Sequence, residues 1–266
     1  MRIARFIVGE DPQFGVVTGD LDEYGELDED AVIVTLAGDP LYVGLKLTEQ
    51  EHKLADVRLL APVLPRSKVI GIGRNYAAHA AELGNDVPDE PLMFMKPNTS
   101  VIGPGDPIFY PRQSERVDFE GELAVVIGRI CRDVPKERVA DVIFGYTIGN
   151  DVTARDLQKK DGQFTRAKGF DSFCPLGPWI ETELATEALT LETRLNGDLM
   201  QEGNTHDMIF DVPTLVAHVS SVMTLLPGDV ILTGTHEGVG PMNPGDEVDV
   251  TIAGIGTLTN KVVSRD

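Results

Sequence analysis

A strand-rich α+β fold with few helices is what this chain predicts, and three observations carry the reading. Aromatic residues make up 6% of the 266 residues, while 27 glycines and 17 prolines supply turns throughout. Short runs of β-branched and apolar residues recur along the whole length, bounded by Gly, Pro, Asn and Asp as strands are. Only Pro213 to Leu226 combines an early proline, apolar residues at helical spacing and a Pro227-Gly228 stop, so a long helix is the exception. At 42% apolar residues the chain can bury a sizeable core.

The totals narrow the function classes. Lys and Arg number 23 against 43 Asp and Glu, a net charge of −20, which suits neither nucleic acid nor an anionic membrane surface. The two cysteines, Cys131 and Cys174, form no CxxC pair and no disulfide framework. The first apolar run is too short for a signal peptide, and no stretch approaches the about 20 apolar residues of a membrane span. A cytoplasmic protein is the expectation.

Residues 1–65 read as a small N-terminal domain and residues 66–266 as the main domain. In the first, Arg2 to Val8, Phe14 to Thr18 and Ala31 to Thr35 are short strands. Acidic turns such as Gly19-Asp20-Leu21-Asp22-Glu23 separate them. Glu49 to Ala55 suggests one or two helical turns and Val57 to Val63 another strand, before Pro62 and Pro65 mark the join. No catalytic cluster is visible there, so a packing or dimer-forming role is the simplest one.

The main domain opens with the strand Lys68 to Gly73. Arg74-Asn75-Tyr76 stand where a dinucleotide fingerprint needs its third glycine, so a nucleotide-binding oxidoreductase is rejected. Tyr76 to Leu83 is alanine-rich and favours helix, stopped by Gly84-Asn85. His79 and Glu82 share one face of it at i, i+3. The polar stretch that follows suits a helix acting as a mobile lid. Pro91 to Pro97 is a strand carrying Lys96 near its end.

Val117 to Gly128 then reads as one strand whose start holds Asp118, Glu120 and Glu122, all on one face because side chains alternate. Like charges that close repel unless a cation lies between them. Two readings stay open on spacing alone: a solvated strand end, or oxygen donors for a hard divalent ion. A short helix near Pro135 to Val142 and a strand, Phe144 to Ile148, lead to Gly149-Asn150-Asp151. Thr153 to Gln158 is read as a helix, and Lys159 to Phe173 as a long polar loop of the kind that often carries function. Leu189 to Leu195 alternates into an Asn196-Gly197 hairpin turn. After the long helix, the strand Asp229 to Thr233 runs into Gly234-Thr235-His236-Glu237-Gly238-Val239-Gly240. This loop lacks the lysine that a phosphate loop requires. Glu247 to Ile252 and Thr257 to Val263 are closing strands.

Seven of these pieces, in order, resemble the fumarylacetoacetate hydrolase family. They are Asn75-Tyr76-x-x-His79-x-x-Glu82, Phe94-x-Lys96-Pro97, Asp118-x-Glu120-x-Glu122-Leu123, Gly149-Asn150-Asp151 through Arg155-Asp156-x-Gln158, Lys168-Gly169-Phe170-Asp171, Asn196-Gly197 with Gln201, and Thr233-Gly234-Thr235. They cover residues from about 68 to 266, and the first 65 residues resemble the small leading domain of the family's bacterial branch. His236 departs from the pattern, since many members carry proline there, and this puts substrate preference in doubt.

The resemblance implies a mixed β-roll with few helices, a homodimer, and one divalent ion, Mg2+ or Mn2+, held by Glu120, Glu122 and Asp151. It places Asp118 behind these ligands or in solvent. It implies a small 2-oxo acid or its enol as substrate, with His79, Glu82 and Lys168 catalytic. Gln158 and Thr235, and more weakly Arg74 and Lys96, would bind substrate. Three reactions fit such a site. Oxaloacetate-type decarboxylation and acylpyruvate hydrolysis are preferred, and isomerisation of 2-hydroxyhepta-2,4-diene-1,7-dioate is the alternative. A non-catalytic ligand-binding protein on the same fold is the reading from another class.

Overall fold

The computed structural model describes residues 1–19, 27–28, 30–82 and 84–265. Asp20 to Glu23 of the expected acidic turn, and Leu83 at the end of the expected lid helix, lie outside the described residues.

One large sheet organises the chain. Its strands lie in the order Leu47–Lys53, Val32–Leu36, Asp11–Val17, Arg2–Val8, Cys174–Glu181, Ile143–Asn150, Gly121–Ile127, Val230–Leu232, Val69–Gly73 and Leu92–Lys96. Gly121–Ile127 is buried at every position and sits between antiparallel neighbours, as the apolar run from Leu123 to Ile127 requires. The N-terminal strands join this sheet through Arg2↔Glu181 and Ile3↔Ile180. A second sheet, in the order Asp198–Asn204, Thr190–Leu195, Glu247–Ile252, Gly256–Ser264 and Ile108–Tyr110, packs beside it. Leu191, Val250, Ile252 and Leu258 of the second sheet share one core cluster with Leu123, Val125 and Ile148 of the first. The expected strand-rich class is therefore the one observed. Among the described residues, no helix is long and apolar enough to cross a membrane.

Several elements differ from the sequence reading. Val117 to Gly128 is not one strand. Val117–Asp118 belongs to a small sheet with Thr153–Ala154 and Pro241–Met242, and the chain enters the large sheet only at Gly121. The switch is held by side chain and loop rather than by a ladder. The Glu120 N–H donates to Asn150 Oδ1 at 2.9 Å, and Glu120 O accepts from the Asp151 N–H at 2.8 Å. Glu49 to Ala55 is mostly strand, Leu47–Lys53, because pairing with Val32–Leu36 overrides weak helical propensity; only Leu54–Asp56 makes a 3-10 turn. Thr153 is strand, and the helix starts at Arg155.

Lys159 to Phe173 is not one continuous loop, since about half of it is helical. The helix Arg155–Asp161 stops at Gly162 in the left-handed region (φ 67°), and Thr165–Lys168 makes another turn. The long helix, Val212–Val222, begins on its Asp211 cap but ends before Leu226, because Leu225 is drawn into a bridge with Cys131. At the hairpin, Asn196 and Gly197 both take positive φ (54° and 87°), which the expected tight turn demands.

Candidate active site

Three carboxylates converge where the sheets meet. Glu120 follows the small-sheet strand, Glu122 begins the central strand, and Asp151 follows Ile143–Asn150, which pairs with that strand at Gly121↔Asn150. All three are buried, and their ligand oxygens lie within 4.8 Å of one another. Cations brace two of them. Lys168 Nζ donates to Glu120 Oε2 at 2.8 Å and to Asp151 Oδ2 at 2.6 Å. Arg155 Nη2 donates to the other oxygen of Glu120 at 2.5 Å, and Lys96 Nζ donates to Asp151 Oδ1.

Glu122 is different: it accepts a backbone bond, from the Gly234 N–H to Oε2 at 2.7 Å. The electrostatics follow from this arrangement. Burial pushes the Glu122 carboxyl up, and Asp151 and Glu120 push it further, well above the usual carboxylate range. Burial also pushes Glu120 up, but Lys168 and Arg155 outweigh it and hold that carboxyl well below its usual value. Burial pulls the Lys168 ammonium down, yet Asp151 and Glu120 more than compensate, so the lysine stays charged. The group thus offers hard oxygen donors and one carboxylate short of positive charge. Those features suit Mg2+ or Mn2+ and no soft metal.

A cavity of about 430 Å³ opens over this cluster. Nine of the expected site residues line it: Arg74, His79, Glu82, Glu120, Glu122, Asp151, Gln158, Lys168 and Thr235. The helix Ala77–Glu82 carries the pair His79 and Glu82, with Nδ1 and Oε2 3.4 Å apart. Glu82 Oε1 also accepts the Gly238 N–H at 3.1 Å, so this helix is fastened to the glycine-rich loop across the cavity. Arg74 is half-buried and holds a positive φ of 59°, rare for a residue with a side chain.

Two expected substrate-binding residues are placed otherwise. Lys96 is 1% exposed and does not line the cavity; it donates to Asp151 and to the Val152 carbonyl, supporting the cluster from behind. The Thr235 hydroxyl donates its single proton to Gly121 O at 2.9 Å and accepts from Gln201 Nε2 at 2.9 Å. It has no proton left for a substrate carboxylate. Asp118 is fully buried, not in solvent: Arg116 donates to both its oxygens, and Arg155 Nε donates to it at 2.9 Å.

The sequence reading passed over Arg155. This buried side chain spans Asp118 and Glu120 and donates from Nη1 to Gln158 Oε1 at 2.8 Å. Its signal was an arginine four residues after Asp151, in a chain with three spaced acids to satisfy. Phe94 was missed as a wall residue, and its ring lies 5.0 Å from Lys168 Nζ.

His236 is 1% exposed, stands 5.9 Å from the Tyr76 ring, and has no hydrogen-bond partner at either ring nitrogen among the described residues. Burial lowers its pKa from 6.5 to about 4. The unfolded chain therefore takes up a proton between these values that the folded chain refuses. The contribution of this residue to stability is complete above pH 6.5 and declines as the pH falls toward 4, by on the order of 3 kcal/mol in full. His236→Leu is expected to flatten this acid limb in urea melts between pH 7 and pH 4. An unchanged limb would place its origin elsewhere.

A strand-rich fold holding three buried carboxylates beside a His–Glu pair defines the class: enzymes whose carboxylates can hold a divalent cation above a small polar cavity. Within that class the chain belongs to the fumarylacetoacetate hydrolase family. Residues 68–263 match the description "Fumarylacetoacetate (FAA) hydrolase C-terminal", and residues 1–62 match "Rv2993c-like, N-terminal". The chain is 44% identical over 225 residues to oxaloacetate tautomerase YisK of Bacillus subtilis (strain 168), covering 79% of this chain and 75% of that protein. The solved structure of 5-carboxymethyl-2-hydroxymuconate delta-isomerase from Mycobacterium smegmatis matches over 100% of both chains, with 51% identity and a TM-score of 0.91. Fumarylpyruvate hydrolase from Pseudomonas aeruginosa, solved in complex with Mn2+ and pyruvate, matches 76% of this chain and 91% of that one, with 32% identity and a TM-score of 0.72.

Proposed function

We propose that this protein is a divalent-metal-dependent enzyme acting on small 2-oxo acids or their enols, and that its elementary step is proton transfer at the carbon beside the 2-oxo group. The observation that carries this is the buried Glu120–Glu122–Asp151 cluster, with no cation bonded to Glu122 among the described residues, across one cavity from His79 and Glu82. Glu120, Glu122 and Asp151 would hold Mg2+ or Mn2+, which supplies Lewis acidity toward the 2-oxo group and offsets developing negative charge. His79 moves the proton, with Glu82 orienting the ring through Nδ1. Lys168 keeps a fixed positive charge beside the same oxygens. Gln158 and Arg74 meet the polar ends of the substrate from the cavity wall. The Glu82–Gly238 bond closes the lid helix against the loop and limits water.

Proton transfer alone accounts for keto–enol and double-bond isomerisation, the activities in the names of the tautomerase and the isomerase relatives. Cleavage of a C–C bond, by oxaloacetate-type decarboxylation or acylpyruvate hydrolysis, is the second reading. The similarity to fumarylpyruvate hydrolase favours it, since a histidine base beside a cation can take its proton from water instead of carbon. Metal-stripped protein should be offered oxaloacetate and acetylpyruvate with Mn2+ restored. Loss of enol absorbance and release of pyruvate would be followed separately. Enol loss without pyruvate identifies a tautomerase, and matched pyruvate release identifies cleavage. No metal-restored turnover on either substrate would sink the assignment.

A further inference from the structure

The glycine-rich loop joins both halves of the site. At its start the Gly234 N–H donates to Glu122, and near its end the Gly238 N–H donates to Glu82. The separation between the carboxylate cluster and the His79–Glu82 pair is therefore set by where this loop lies. Its middle is held by one side chain from a third element, the edge strand Asp198–Asn204. Gln201 is 1% exposed and uses its whole amide. Nε2 donates to Thr235 Oγ1 and to His236 O, each at 2.9 Å. Oε1 accepts the Gly121 N–H at 3.1 Å, the peptide between Glu120 and Glu122.

Two residues along the same strand, Gly203 admits the rest of the loop. A Cβ there would come within 2.6 Å of the buried His236 ring, and Gly203 does not hold a left-handed backbone that would itself demand glycine. Positions 201 and 203 face the same side of the strand, so one strand face both bonds the loop and leaves it room.

We infer that Gln201 is a positioning residue that locks the loop 233–238 to the Glu120–Glu122 peptide. In this way it sets the relation of the metal-binding carboxylates to the proton-transfer pair. This rests on the reading of Glu120, Glu122 and Asp151 as metal ligands. Loss of the Gln201 amide frees the loop, strands the Gly121 N–H in the interior, and lets Glu122 drift from its ligand position.

The test is Mn2+ binding by calorimetry on metal-stripped full-length protein, with kcat and KM measured beside it. Wild type and Glu122→Gln come first, and a wild type that binds no Mn2+ would overturn the metal reading itself. With wild-type binding in hand, Gln201→Leu is expected to weaken Mn2+ affinity about 10- to 100-fold, the usual cost of removing a residue that orients a ligand. It should lower kcat more than it raises KM. Gly203→Ala leaves Gln201 in place and should weaken binding in the same direction by pushing His236, and Gly203→Ala/His236→Ala should recover it. A folded Gln201→Leu protein with unchanged Mn2+ affinity, or a Gly203→Ala variant that binds as wild type, overturns the inference.

Discussion

Glu122→Gln is expected to abolish metal-supported turnover while making the metal-free protein more stable at neutral pH. The two effects have one cause. Glu122 is buried beside Glu120 and Asp151, with a backbone N–H where its neighbours have cations. Burial and the two carboxylates hold its pKa well above the usual range. A carboxyl whose folded pKa is raised favours folding below its ordinary value, and that contribution is lost as the pH rises toward the folded value. An amide carries no such cost of taking up a proton on folding, so the substitution relieves the metal-free protein at neutral pH. The same change deletes one of three oxygen ligands. Lewis-acid catalysis contributes several kcal/mol, so turnover should fall by about 10³-fold or more. Thermal melts of metal-free samples, Mn2+ titration and initial rates check this together. A variant that keeps its turnover, or whose metal-free form melts well below wild type, contradicts the assignment of Glu122.

His79→Ala should reduce kcat by about 10²- to 10⁴-fold, the range for loss of a positioned acid–base group, and leave Mn2+ affinity unchanged. His79 touches Glu82 and the cavity, and it is not among the clustered carboxylates. Glu82→Gln should fall between wild type and His79→Ala. The amide still accepts from Gly238, so the lid helix keeps its anchor, but the carboxylate that orients the histidine ring is gone. The check is kcat and Mn2+ affinity measured side by side for the three proteins, with kcat falling in the order wild type, Glu82→Gln, His79→Ala at one Mn2+ affinity. If metal binding collapses in His79→Ala, the histidine belongs to the ligand set and the division of roles is wrong.

What the sequence determined by itself is what local pattern encodes. The apolar run from Leu123 to Ile127 announced a buried strand, Asn196-Gly197 announced a hairpin turn, and the early Pro213 with apolar residues at helical spacing announced the helix Val212–Val222. The three-residue spacing of His79 and Glu82 was enough to pair those side chains, because helical periodicity decides which neighbours share a face.

Partners across the chain belong to the tertiary structure alone. Lys168 meets Glu120 from 48 residues away, and Gly234 meets Glu122 from 112. Nothing in either neighbourhood names the other. The break at Phe119–Glu120 was invisible because the strand pattern continues through it. Only the competing partners Asn150 and Gly240 draw the chain from one sheet into the next. For the same reason Lys96 turned out to lie behind Asp151, Asp118 to be buried against two arginines, and the Thr235 hydroxyl to be committed to Gly121. A side chain's role depends on which of its hydrogen bonds the rest of the fold has already taken. That is settled only when distant segments pack and water is removed from around them.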